Sequence, residues 1–152
     1  MISLYPHQIK VIDVARTRFR SGKKRLLIVI STGAGKTVVA VHIIDSARGH
    51  GSRILFVAHR RELIQQTVAK LVQFGIDPSL IGVILAGVPA DGGQRQLSTD
   101  DPTQLDKHTI WSRYARQRPQ APIHVGSIQT ISRRTLAQYD LIFIDEAHLA
   151  LA

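Results

Sequence analysis

Leu26-Leu27-Ile28-Val29-Ile30-Ser31-Thr32-Gly33-Ala34-Gly35-Lys36-Thr37 is the stretch on which the reading of this chain turns. Arg25 to Ile30 is a nearly continuous apolar run, the pattern of a parallel strand buried on both faces. The glycines that follow predict a tight turn whose backbone amides can approach an anion closely. A helix opening near Lys36 then points the positive end of its dipole at the same place. In that setting Lys36 neutralises the outer phosphates of a nucleoside triphosphate and the Thr37 hydroxyl ligates magnesium. Thr32, Gly33, Ala34, Gly35, Lys36 and Thr37 are therefore the candidate nucleotide-binding residues. The strict phosphate-loop spacing asks for a glycine where Ile30 stands, so the match is to a shortened form of the pattern.

Further along, Leu141-Ile142-Phe143-Ile144 predicts a second buried strand ending in Asp145-Glu146-Ala147-His148. Ligands of open α/β sheets bind at the carboxyl ends of the strands, where this acidic pair emerges. Asp145 is the candidate magnesium ligand, and Glu146 the carboxylate that orients and deprotonates an attacking water. Lys36, Asp145 and Glu146 form the candidate catalytic set, with ATP and Mg2+ as cofactors. The seven histidines show no zinc-ligand spacing.

Between the two motifs helix and strand alternate. Pro6 suits a first helical turn, and Ile9, Ile12, Ala15 and Phe19 predict a helix over 6–20. Helices are expected over 36–48 and 61–74, with Gly49 and Gly75 as their stops, and strands over 53–58, 80–85, 122–125 and 139–145. Ser127 is read as a helix N-cap. From 87 to 121 prolines, glycines and charged residues predict an insertion outside the core, with a short helix from Asp101-Pro102 through Tyr114. Strands joined by helical crossovers imply a parallel sheet with helices on both faces.

With 152 residues and 44% hydrophobic content, one ordinary domain is expected. The absence of cysteine excludes a disulfide framework and a thiolate metal site. No apolar run reaches membrane-spanning length and the N-terminus has no signal-like pattern, so no membrane partner and a cytoplasmic location are expected. A net charge of +9 favours a polyanionic partner, because clustered cations gain affinity by releasing the counterions condensed on nucleic acid.

These motifs, in this order, resemble the superfamily 2 DEAD/DEAH-box helicases, and within them RadD-like ATPases and restriction-enzyme translocating subunits. Tyr5-Pro6-His7-Gln8 looks like the family's adenine-reading element, which implies that Gln8 reads the base. Ala58-His59-Arg60-Arg61-Glu62-Leu63 looks like motif Ia and Gly126-Ser127-Ile128-Gln129-Thr130 like the next nucleic-acid element. The resemblance implies backbone contacts from His59, Arg60, Arg61, Ser127, Gln129 and Thr130 to DNA or RNA, with DNA favoured, and a coupling role for His148. It further implies a three-layer RecA-like α/β fold with a mostly parallel sheet. The chain corresponds to the first RecA-like domain, truncated after motif II. A second RecA-like domain or chain would carry the arginine finger. Ala58-His59 replaces the usual Pro-Thr of motif Ia.

The function expected is the ATP-binding part of a helicase or translocase with little turnover alone. The alternative is a non-catalytic nucleotide-binding or nucleic-acid-binding remnant, or one half of a split motor. Asp91-Gly92-Gly93-Gln94-Arg95-Gln96 also resembles an ABC-transporter signature, but the polar loop from Ser98 to Pro102 stands where a helix should follow. Trp111, Arg113, Tyr114, Arg116 and Arg118 interleave aromatic and basic groups as a single-strand-binding surface does. A packed or solvated insertion helix is the favoured reading of them.

Overall fold

The computed structural model describes residues 4–31, 33–90 and 101–145. Nine helices and strands make up its regular framework: α1 (Pro6–Arg20), α2 (Lys36–Gly49), β1 (Ile54–Ala58), α3 (Arg61–Gln73), β2 (Ile81–Ile84), α4 (Lys107–Tyr114), β3 (Ile123–Ser127), α5 (Ile128–Ile131) and β4 (Leu141–Ile144). Short 3-10 turns at Pro78–Leu80 and Pro102–Gln104 are capped by Asp77 and Asp101. The four strands form one all-parallel sheet in the order β2-β3-β1-β4, so the chain is α/β, as expected of a RecA-like unit.

Burial follows the pleat. Ile54, Phe56, Ile123, Val125, Ile81 and Val83 face one side, where Val41 and Ile44 of α2 and Ile64, Val68 and Leu71 of α3 complete the main core. Each such side chain contributes about 1.5–3 kcal/mol by leaving water. Helix α1 lies outside α2 through Ile12 and Ala15 against Val39 and Ile43. On the opposite face Leu55 and Val57 meet Ile131 of the short helix α5. That helix is the third layer among the described residues, and it leaves Ile142 and Ile144 of β4 about half exposed.

The expected strand at 25–30 is corrected. Residues 23–31 carry no ladder, although Leu26 and Ile30 pack with Leu141 and Phe143 beside the α1–α2 cluster. The intervening Leu27 and Val29 are 82% and 85% exposed. A strand apolar on both faces gains its full drive only when both are covered, and here a cover exists on one side alone.

The packing of 87–121 also departs from expectation. Although polar overall, this segment contributes Val88, Ile110, Ala115 and Ala121 to the buried core, and α4 packs on α3. Asp106 caps α4 by accepting from the amides of His108 and Thr109. Arg118 Nη1 lies within 2.8–3.1 Å of the carbonyls of Pro78, Ile81 and Tyr114. It thereby ties a turn, a strand and a helix together.

Behind this staple His124 is buried in β3, its Nε2 2.9 Å from the Arg118 carbonyl. The carbonyl can only accept, so Nε2 carries the proton and Nδ1 is left without a partner. Burial holds the imidazole below its ordinary 6.5, and the charge of Arg53 adds to that effect. Above 6.5 the ring is neutral both folded and unfolded. Below it the unfolded chain takes up a proton that the folded chain refuses, so stability falls with pH until the depressed native pKa is reached. Chemical denaturation between pH 8 and 5 should show a loss of up to about 1.4 kcal/mol per pH unit below 6.5. His124→Gln, which keeps a donor for the Arg118 carbonyl, should flatten that part of the profile. An unchanged slope in the variant would assign the effect elsewhere.

Candidate nucleotide and nucleic-acid site

The phosphate turn is built as the glycines require. Gly33 and Gly35 have φ of +82° and +85°, values that any residue with a Cβ adopts only under strain. Gly35 is also the N-cap of α2, whose first turn closes with Val39 N donating to the Gly35 carbonyl at 3.1 Å. Lys36 is exposed and Thr37 partly so. Thr32, Glu146 and His148, and the Asp91–Gln96 stretch, lie outside the described residues.

Gln8 is 4% exposed and fastens this turn to α1. Its Oε1 accepts from Tyr5 N at 3.0 Å and its Nε2 donates to the Ala34 carbonyl at 3.1 Å, while His7 Nε2 stands 3.3 Å from the same oxygen. One N–H and one lone-pair direction of the carboxamide remain for a further partner. The clamp from α1 to the phosphate turn was not legible in the spacing.

The other candidate residues gather at the carboxyl ends of the strands. Asp145 follows β4, and its amide donates to Val57 of β1 at 2.9 Å. Ala58 at the end of β1 is in register with Ser127 at the end of β3. Across that junction Gln129 Nε2 donates to the His59 carbonyl at 3.3 Å, and Arg60 Nε donates to His59 Nε2 at 3.0 Å. The two candidate nucleic-acid elements, far apart in sequence, thus become one surface. Within it Ser127 is buried: its hydroxyl accepts from Thr130 N at 3.2 Å and donates to Thr130 Oγ1 at 2.9 Å. Its side chain organises the turn that presents Gln129. Arg61, at the start of α3, holds its guanidinium 5.8 Å from the centre of the Trp111 ring.

The donor types at the candidate metal residues suit magnesium. A hydroxyl at Thr37 and a carboxylate at Asp145 are hard ligands, and no cluster of three or more His, Asp or Glu side chains occurs among the described residues. Magnesium is held in this manner, by one or two protein oxygens with substrate phosphates and water completing its shell.

A family model described as the type III restriction enzyme res subunit matches residues 1–152. The chain is 29% identical over 161 aligned residues to the "Putative ATP-dependent helicase IRC3" of Saccharomyces cerevisiae, across 98% of this chain and 19% of that protein. It is 31% identical over 70 residues to the "Putative mitochondrial ATP-dependent helicase irc3" of Schizosaccharomyces pombe, across 44% of this chain and 12% of that protein. The chain thus spans less than a fifth of the length of either relative. The second is named as mitochondrial, whereas the sequence reading expected the cytoplasm. Among the described residues no helix is long and apolar enough to cross a membrane. A match that runs from the first residue to the last leaves no part of the chain outside its family: it belongs to the type III restriction enzyme res-subunit family, and it carries an N-terminal part of a superfamily 2 helicase.

Proposed function

We propose that this chain is the nucleotide-binding part of an ATP-dependent motor that moves on nucleic acid. The observation that carries the reading is the shared edge: Asp145, the His59–Gln129 junction and Arg60 all stand at the carboxyl ends of neighbouring parallel strands. A change at the nucleotide can therefore reach the strand-binding surface through one sheet.

Gly33 and Gly35 present amides to the phosphates with the α2 dipole behind them, and Ala34, whose amide donates to the Ser31 carbonyl at 3.1 Å, holds the turn between them. Lys36 neutralises charge on the outer phosphates, and Gln8, already tied to the turn, reads the adenine edge. Thr37 and Asp145 hold magnesium, which when bound screens the phosphate charge and polarises the bond to be broken. Glu146 orients the attacking water and accepts its proton. His59, Arg60, Arg61, Gln129 and Thr130 hold the phosphodiester backbone, with DNA favoured over RNA; Ser127 positions them, and His148 couples the two sites. A second RecA-like domain or chain supplies an arginine finger, a group worth about 10³–10⁵ in rate in related chemistry. ATP binding closes the two units and hydrolysis releases them, so that each cycle advances the motor.

The test is ATP hydrolysis by the purified chain with and without single-stranded DNA or RNA, beside Glu146→Gln. Turnover stimulated by nucleic acid and lost in the variant supports the motor. Nucleotide binding with little turnover is the result expected of this part alone, without the unit that carries the arginine finger. Absence of nucleic-acid binding at low salt removes the motor and leaves a nucleotide-binding module.

A further inference from the structure

We propose that the cleft between α3 and α4 is a stacking subsite for one base of a single-stranded nucleic acid, with Trp111 as its platform and Arg61 and Arg116 as its cations. The proposal rests on the nucleic-acid reading above and adds to it a site that the motif residues do not include.

The cleft holds about 220 Å³ and is walled by Arg61, Val88, Pro89, Trp111, Ser112 and Arg116. It is smaller than the ~300–1,000 Å³ of sites that enclose a whole small molecule, and so suits one flat group entering from solvent. No carboxylate lines it among the described residues. Trp111 is only partly buried, and the guanidinium over it belongs to an exposed arginine. An arginine and an indole that face each other at the mouth of an open cleft are the pair that takes a base by stacking and its phosphate by charge.

The alternative role for Trp111, a latch that fixes α4, is already filled. Ile110 is fully buried in the core, Ala115 nearly so, Asp106 caps the helix, and Arg118 ties the end of α4 to β2. The basic and aromatic residues of this segment therefore divide. Arg118 is engaged by main-chain carbonyls and Tyr114 packs against the core, whereas Trp111, which also touches the core along part of its surface, lines the opening with Arg116. Arg116 is itself fixed, its Nη1 donating to the carbonyls of Ser112 and Ala115 at 3.3 and 2.8 Å.

The position also fits. Arg61 follows Arg60 at the end of β1, and Gly87 to Pro89 follow β2, so the cleft opens on the same edge of the sheet as His59 and Gln129. Asp145 lies at the other side of the sheet, three strand spacings of about 4.8 Å from β2. A strand seated on the His59–Gln129 junction and extended away from the nucleotide reaches Trp111.

Trp111 is the single tryptophan of the chain, so its emission reports on this cleft alone. The chain should be titrated with fluorescein-labelled oligothymidylate at low salt, following label anisotropy and, with unlabelled oligonucleotide, tryptophan emission. The expected result is saturable quenching of the tryptophan with the midpoint seen by anisotropy, affinity about 10-fold weaker in Trp111→Ala, and near-complete retention in Trp111→Phe. Binding by anisotropy with unmoved tryptophan emission would overturn the subsite and leave the nucleic-acid reading standing. No anisotropy change would remove both. The quenching needs no variant, so it decides the matter even if Trp111→Ala fails to fold.

Discussion

Gly35→Ala is expected to weaken nucleotide binding by at least about 100-fold, the loss that follows when two charge-assisted hydrogen bonds of about 1.5–3 kcal/mol each are misaligned. Two independent causes meet at this residue. Its φ of +85° costs an L-residue about 1–2 kcal/mol. The new Cβ would also press directly on Nε2 of Gln8. Gln8 is buried and fixed at both ends of its carboxamide, so it has no free rotamer in which to yield. Either the turn moves away from α1 or the Gln8 clamp on Ala34 opens, and in both cases the amides shift. Gly22→Ala supplies the comparison. It has the same φ of +85° but open space around its Cβ, so it should lower stability by about 1–2 kcal/mol and leave nucleotide affinity unchanged. Calorimetric titration with an ATP analogue, paired with thermal unfolding, reads both effects. Equal affinity losses in the two variants would show that the contact with Gln8 is immaterial.

The second large effect is expected at Gly126, where replacement by alanine should destabilise the fold by about 2–4 kcal/mol, or roughly 4–16 °C in Tm. A Cβ there would stand 2.8 Å from Ile84 Cβ, 2.9 Å from Ile131 Cδ1 and 2.9 Å from the Ile84 carbonyl oxygen. The end of Ile131 can rotate away. The Ile84 carbonyl belongs to β2, paired in register with Gly126 itself, and can move only if the two strands part. Since Ser127 and Gln129 follow directly, the same displacement should also weaken nucleic-acid binding. Gly49→Ala is the counterpart: it meets nothing within 4 Å and its φ is negative, so stability should be unchanged or slightly higher. Thermal melts of the two variants beside the parent chain check the pair, and a neutral Gly126→Ala would mean that β2 and β3 lie farther apart at Ile84 than described.

Part of this architecture was legible because it is local. The run from Ile54 to Ala58 is apolar at every position and is buried at every position, and Ser127 announces a cap that its hydroxyl makes. The stretch from Leu26 to Ile30 reads in the same way and behaves differently, because pairing is a property of what lies alongside and not of the run itself. In 87–121 the opposite error arises: a few buried residues, Val88, Ile110 and Ala115 among them, anchor a segment whose average composition is polar. The candidate site divides along the same line. Glycines at the phosphate turn and an acid at the end of β4 could be placed by pattern. The Gln8 clamp, the joining of His59 to Gln129 and the close approach at Gly126 are tertiary distances, to which no spacing in the sequence corresponds.

The open side of β4 also governs how the chain behaves in a test tube. Among the described residues no strand pairs with its outer side, where Ile142 and Ile144 are about half exposed and Leu27 and Val29 are uncovered in the segment that packs on Leu141 and Phe143, and such an edge is one on which a second molecule can add a strand. A charge of +9 opposes that encounter by mutual repulsion between copies. Salt acts on both sides of the balance. It shortens the reach of the repulsion to about 8 Å at physiological ionic strength, while it leaves the apolar edge as adhesive as before. The conditions that suppress nonspecific nucleic-acid binding during purification are therefore those that invite the chain to associate with itself, and polyanions that occupy the basic surface remove the same protection.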